Sequence, residues 1–258
     1  MNSLINRLDA LVLSVVLFAG IILMVSIGRW CNKKWNEDLE PKGGVNSLLS
    51  ALYALSGLML AFTFGMSGTR LEKVRTIIQQ EANDMGTAIR RADLYSDSAR
   101  QGFRTDFREY LEAVISFYEN ATNPAVLYKA REDAEKASDR LWARAAQESK
   151  KPNMLIPSNQ MLPALNNMFD SATARIIVLK SKVPDLIIYM LFICVLATCF
   201  IGGFTSSSFR YKDWIIITGF ALMSSMVVYT TIDLARPMRG VIKEMSGREA
   251  IVELRKMF

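Results

Sequence analysis

Four stretches of about 20 residues carry no Asp, Glu, Lys or Arg: Leu11–Gly28, Leu48–Met66, Leu186–Thr205 and Trp214–Ile232. A helix needs about 20 apolar residues to cross about 30 Å of hydrocarbon, and in lipid every backbone group must find its partner inside the helix. The four tracts therefore predict four transmembrane helices. The first ends in "RWCNKKW", a basic, Trp-rich interfacial flank with no small-residue cleavage signal, so it reads as a retained span. The chain is 51% hydrophobic yet 22% charged, and the two features are segregated, as spans flanking a soluble part require.

The remaining sequence is helical in period. Leu71, Val74, Ile78, Met85 and Ile89 recur at three-, four- and seven-residue steps, and Phe103, Phe107, Tyr110, Leu111, Val114 and Phe117 form a second stripe. A third segment opens at Pro124 and has an Ala-rich face with Leu141 and Trp142; "KKPNMLIPSNQ" reads as a loop, and a helix resumes over Met168–Val178. No alternating run suggests a sheet. The fold class is an all-α integral membrane protein whose second span continues into a cytoplasmic helix. Residues 1–66 hold the first two spans and a short basic loop. Residues 67–183 form a soluble helical domain, 184–232 the third and fourth spans, and 233–258 a tail with one short helix, for which Ser246 and Glu249 fit a capping box.

Basic flanks orient the chain. Arg7, Arg70, Lys73, Arg75, Arg175, Lys180, Lys182, Arg236, Arg239 and Lys243 fall on one side; Arg29, Lys33, Lys34, Lys42, Arg210 and Lys212 fall on the other. The larger set marks the cytoplasmic side, so both termini and the central domain are expected there. The net charge of +6 then reflects orientation and contact with an anionic bilayer rather than nucleic acid, for which there is no base-reading motif.

Several chemistries lack their residues. There is no His, which removes the commonest general base and metal ligand. Cys31, Cys194 and Cys199 form no C-x-x-C pair and read as structural thiols rather than a disulfide or metal site. The charge-free spans lack the buried ionisable groups of proton-coupled transporters and pumps. The soluble part has no phosphate loop or nucleophile elbow. No enzyme, cofactor or metal is expected. Asn120-Ala-Thr122 matches a glycosylation acceptor and reads as coincidence in a cytoplasmic segment.

The second span repays a reading by faces. Ala54, Gly57, Ala61, Gly65 and Gly68 share one face, with Gly57, Ala61 and Gly65 at small-x-x-x-small spacing. Leu58, Phe62 and Met66 form an adjacent row, and Ser56, Thr63 and Ser67 lie on another face. Two readings stand. In one, the span packs in an ordinary bundle with its large residues in lipid. In the other, the small face meets a neighbouring helix and the Leu58–Phe62–Met66 row rings an axis, where apolar rings gate by dewetting. The uninterrupted passage through "GMSGTRLEK" then couples the pore to the soluble domain.

"GLMLAFTFGMSGTRLEKVRTIIQQEANDMGTAIRRADL" resembles the signature of bestrophin-like domain proteins, a widespread bacterial membrane family. Phe62, Phe64, Arg70, Glu81, Ala82, Asn83, Gly86, Thr87, Ala88, Arg91, Asp93 and Leu94 match it. "IDLARPMRGVI" resembles the family's block after the last span through Asp233, Arg236, Pro237 and Gly240; Ala235 departs where an acid is common. The resemblance implies four spans in a bacterial inner membrane and a remote kinship with bestrophins, which are pentameric anion channels. Leu58, Phe62 and Arg70 fit the register of the bestrophin neck and its following arginine. The implied function is a homo-oligomeric channel for small anions, pentameric by analogy, with Arg70 at the pore exit. The bestrophin calcium clasp is missing, with Arg236 and Arg239 standing near its place, so calcium gating does not carry over. The alternative is a membrane-anchored helical scaffold or signalling protein that conducts nothing. Glu81, Asn83 and Asp84 interrupt an apolar stripe, and inter-helix hydrogen bonding is preferred there to a ligand site. Asp233 and Arg236 are placed to pair locally where the fourth span ends.

Overall fold

The computed structural model describes residues 9–35, 43–120, 123–181, 184–205, 211–236 and 246–258, with the side chains of 43–46 and 246 left aside. Arg7, Lys42, Lys182, Arg210, Pro237, Arg239, Gly240 and Lys243, the Ala121-Thr122 part of the acceptor sequence and the Ser246 side chain of the capping box lie outside the described residues. The helices are α1 (Ala10–Lys34), α2 (Gly43–Arg91), α3 (Asp97–Glu119), α4 (Pro124–Glu148), α5 (Leu155–Lys180), α6 (Asp185–Thr205), α7 (Tyr211–Leu234) and α8 (Ser246–Glu253). Single 3₁₀ turns at Ala92–Leu94 and Leu254–Met257 follow α2 and α8. Four helices are long and apolar enough to span a bilayer: the apolar tracts lie on α1, the first part of α2, α6 and α7.

The chain divides into two compact units, Met1–Arg70 with Lys182–Ala235, and Leu71–Ser181 with Arg236–Phe258. In the first, α1 packs along α6 and α7. Leu17, Ile21 and Val25 meet Leu191, Val195, Cys199, Ala221 and Val228 in its core. Two glycines set how close α1 and α6 come. A Cβ on Gly203 would lie 2.2 Å from the Val25 carbonyl oxygen, and one on Gly28 would lie 2.2 Å from that of Phe200. Backbone therefore meets backbone at both points, the contact for which membrane helices use small residues.

In the second unit the stripes read from sequence become the core. Val74, Ile78, Met85 and Ile89 of α2 and Phe103, Phe107 and Leu111 of α3 are fully buried, together with Leu141 of α4 and Met161 and Leu165 of α5. Helix α4 starts where the chemistry of its first turn dictates. Pro124 fills the first turn without wasting an N–H, and the Asn123 Oδ1 accepts from the Ala125 and Val126 amides at 3.1 and 3.4 Å. The loop expected over Lys150–Gln160 is shorter than its prolines suggest. Asn153 takes a left-handed φ of 61°, and α5 begins two residues later at Leu155. Pro157 sits in the first turn, where a missing N–H costs nothing, and Pro163 lies inside the helix.

The C-terminal segment is part of this unit. Ile251 is fully buried in its core. Arg255 grips Glu112 of α3 with Nε and Nη2, at 2.8 and 2.5 Å, and the Arg108 guanidinium lies over the Phe258 ring at 5.3 Å. A Cβ on Gly86 of α2 would meet the Leu254 side chain at 3.2 Å, so the small residue of "EANDMG" makes room for this turn.

Candidate functional site

Within the membrane unit α2 is the least covered span. Only 11% of its apolar window is buried in the protomer, against 28–33% for the other three. The face it turns inward is its hydroxyl face: Ser56, Thr63 and Ser67 are all buried. Ser56 Oγ lies 3.0 Å from Thr198 Oγ1 and 3.4 Å from Cys194 Sγ, both on α6. Thr63 Oγ1 donates to the Met59 carbonyl of its own helix at 2.6 Å. Tyr53 stands edge-on to Phe220 of α7, 5.6 Å between ring centres.

The apolar faces look away from the protomer. Leu58, Phe62 and Met66 are 52%, 65% and 43% exposed. Ala54 and Ala61 are exposed too, and a Cβ added to Gly57, Gly65 or Gly68 would meet nothing within 4 Å. The small face that marks α2 in the sequence thus makes no close contact inside the protomer. The close glycine contacts are those of Gly28 and Gly203, which sequence reasoning missed. Their one available signal was the position of single glycines near the ends of two apolar tracts.

Arg70 lies one turn beyond Met66. It is half-buried, and its Nη1 donates a 2.5 Å hydrogen bond to the Ala235 carbonyl, just past the last turn of α7. The two motif blocks read from sequence meet at this bond. Asp233 is buried in that last turn, and Arg236 follows Ala235 directly.

Glu81 and Asn83 do not share a site. Asn83 is exposed. Glu81 sits on the buried stripe with Ile78, Ala82 and Met85, at 0% exposure. Arg175 of α5 meets it, Nε to Oε2 at 3.1 Å, and the Tyr118 hydroxyl donates to the same oxygen at 3.4 Å. The pairing is incomplete: Glu81 Oε1 and Arg175 Nε and Nη1 are sealed from solvent without a hydrogen bond. Burial pushes the Glu81 carboxyl above its ordinary range, opposed by the Arg175 guanidinium and the Tyr118 hydroxyl and reinforced by Asp84. Burial raises the Tyr118 and Tyr110 hydroxyls as well, so both stay protonated donors.

Comparison with known proteins gives this arrangement its relatives. A family model described as "Bestrophin-like domain" matches residues 14–243. A crystal structure of a bacterial bestrophin homologue from Klebsiella pneumoniae, carrying a tryptophan-to-alanine mutation, is similar with a TM-score of 0.72. It shares 13% sequence identity over 96% of this chain and 96% of that one. A leucine-to-threonine variant described in the same words is similar at a TM-score of 0.69, with 13% identity, 94% of this chain and 98% of that one. No curated protein matches the sequence. At this identity the likeness to the solved structures is one of fold: all-helical, with four helices able to span a membrane.

Proposed function

The chain belongs to the bestrophin-like domain family, and we propose that it is a homo-oligomeric membrane channel that prefers anions and is lined by α2. The observation that carries this reading is the uncovered face of α2. A span that buries its hydroxyls and leaves Leu58, Phe62 and Met66 outside has its apolar row available to an axis. Copies arranged around that axis would also cover the small face at Gly57, Ala61 and Gly65, where close helix approach supplies dispersion contacts. A ring at Phe62 then forms a dry constriction that gates by dewetting. Arg70 contributes positive charge at the exit, and no acid inside the spans opposes a small anion. Five copies follow from the kinship with bestrophins by analogy. Basic flanks place the termini and the helical domain in the bacterial cytoplasm, with the spans in the inner membrane.

Planar-bilayer recording of the purified protein tests the conduction path. Phe62→Ala removes bulk from every subunit at one level, and conductance is expected to rise; Phe62→Ser should raise it further, since a hydroxyl favours wetting. Arg70→Gln should lower the chloride-to-sodium permeability ratio. Arg70→Lys keeps the charge and separates it from the tie to Ala235. Absence of current from wild type and Phe62→Ala at every voltage and lipid composition returns the protein to the scaffold reading. A stable monomer in mild detergent removes the pore outright. For topology, Asn36→Cys, at a position outside the described residues, is expected to label from outside intact cells and Lys150→Cys to be protected. The opposite pattern inverts the protein.

A further inference from the structure

The helical domain holds a cavity that conduction leaves unused. It lies among α3, α4 and α5, with a volume of about 230 Å³, room for about eight waters at their liquid volume of about 30 Å³. Small residues create it: Ala113 of α3, Ala130 and Ala134 of α4 and Ala172 of α5 all line it, where larger side chains would close it. The Ala-rich face read from the sequence of α4 is therefore a wall of this space as well as a packing surface. Phe117 and Phe169 line it too and give it an aromatic character.

One lining residue is out of place in such a space. Arg175 is only 5% exposed. A guanidinium carries five N–H donors and no acceptor, so burial obliges its surroundings to supply oxygens. Glu81 supplies one at 3.1 Å, yet Nε and Nη1 remain without a hydrogen bond. The rest of its cover is aromatic: Phe117 at 4.7 Å and Tyr118 at 5.4 Å from ring centre to Cζ. A buried donor left unmade costs about 1–3 kcal/mol, and more when it is charged. Because burial also raises the Glu81 carboxyl, the positive charge at Arg175 is under-compensated. Arg131 and Glu135 line the cavity with opposite charges, so selection by sign falls on Arg175.

We propose that this cavity binds a small organic monocarboxylate, its carboxylate on Arg175 and its apolar body against Phe117 and Phe169. The class follows from three properties together. The missing acceptor calls for an oxygen anion, the walls call for hydrocarbon, and the volume admits only a compact molecule. An inorganic anion would leave the walls unsatisfied, and a neutral aromatic would leave the guanidinium so. Occupancy would reset the contact between Arg175 and Glu81 on α2.

The test is calorimetric titration of the purified full-length protein with benzoate, isovalerate, benzamide and chloride. At least one of the two carboxylates should bind saturably, one per chain, at least tenfold more tightly than benzamide or chloride. Ala134→Phe and Ala172→Leu fill the cavity without touching the Arg175–Glu81 pair. Whichever of them melts like wild type should lose at least tenfold in affinity. Arg175→Lys keeps the charge and shortens the reach, and should weaken carboxylate binding while leaving benzamide unchanged. The proposal is overturned if neither carboxylate binds, if benzamide binds as well as benzoate, or if a folded cavity-filling variant binds as tightly as wild type.

Discussion

Adding one methyl group at Gly203 tests how the membrane unit is held together. Its Cβ would lie 2.2 Å from the Val25 carbonyl oxygen and 2.9 Å from the carbonyl carbon. A carbon approaches a carbonyl oxygen comfortably at about 3.3 Å, so α1 and α6 must part by roughly 1 Å. A gap of about 0.5–1 Å forfeits a quarter to a half of the dispersion well for each atom pair it opens. The loss falls on Leu17, Ile21 and Val25 against Leu191, Val195 and Cys199. Overpacking of this kind costs about 1–3 kcal/mol, offset by up to about 1 kcal/mol because Ala is the better helix former. Gly203→Ala and Gly28→Ala should therefore each destabilise by about 1–2 kcal/mol net, or about 2–8 °C in melting temperature for a chain of this size. The buried Cys199 provides the assay: a thiol-reactive dye reports unfolding in mild detergent as that sulfur is exposed. Combined, the two changes should cost less than their sum, because helices already parted for one methyl accept the second more readily. Gly57→Ala and Gly65→Ala meet nothing within 4 Å, so in a single protomer they should be neutral or slightly stabilising. A Gly203→Ala protein that melts at or above wild type refutes the backbone contact. A loss at Gly57 or Gly65 comparable to that at Gly203 would locate a neighbour on the small face of α2, and it could only come from another copy.

Glu81→Gln tests the buried pair through pH. A carboxyl raised above its ordinary value of about 4.3 binds more protons folded than unfolded. Its contribution is complete below that value and is lost as pH rises through the folded one, so the stability of wild type relative to Glu81→Gln should fall over that window; a relative stability that climbs with pH reverses the assignment. Ile251→Ala should cost about 2–5 kcal/mol because the side chain is fully buried. Arg255→Ala removes a pair whose partners are both 47% exposed and should cost under about 1 kcal/mol. Hydrogen exchange over Ser246–Phe258 should therefore accelerate for the first and barely change for the second, and equal acceleration would mean that ion pairs hold the segment.

The spans and the core stripes of the helical domain were legible because each rests on one strong physical contrast. Charge is excluded from lipid, and a 3.6-residue period separates Phe103, Phe107 and Leu111 from their exposed neighbours. Packing between spans had no such contrast to read. Where every face is apolar, periodicity is silent about which face meets which helix. The repeated Gly57–Ala61–Gly65 pattern was far more conspicuous than Gly28 and Gly203, which alone bring two backbones together in the protomer. Proline misled in the other direction, since Pro157 reads as a breaker until the start of α5 places it in a first turn. Glu81 was conspicuous as an acid inside an apolar stripe. Its partner Arg175 was not, because it lies on α5 and nothing local links the two.

The inverted character of α2 follows from the same physics. In water a helix hides its apolar residues and shows its hydroxyls; in lipid neither side is driven by hydrophobicity, so hydrogen bonding and close fit choose the inner face. Ser56 meets Thr198 and Cys194 of α6, and that polar contact fixes the rotation of the helix. Once Ser56, Thr63 and Ser67 are turned inward, the 100° step per residue leaves Leu58, Phe62 and Met66 outside with the glycines beside them. The row proposed to line a pore is therefore placed by serine and threonine rather than by its own side chains. Ser56→Ala would remove the polar contact without adding bulk, and Thr198→Ala would do the same from α6. If that contact sets the rotation, either change should alter the reactivity of a cysteine placed at Phe62 toward a water-soluble thiol reagent, and the pair should couple in a double-mutant cycle. Reactivity at that position unmoved by both would assign the rotation to the flanking apolar contacts of Tyr53 with Phe220 instead.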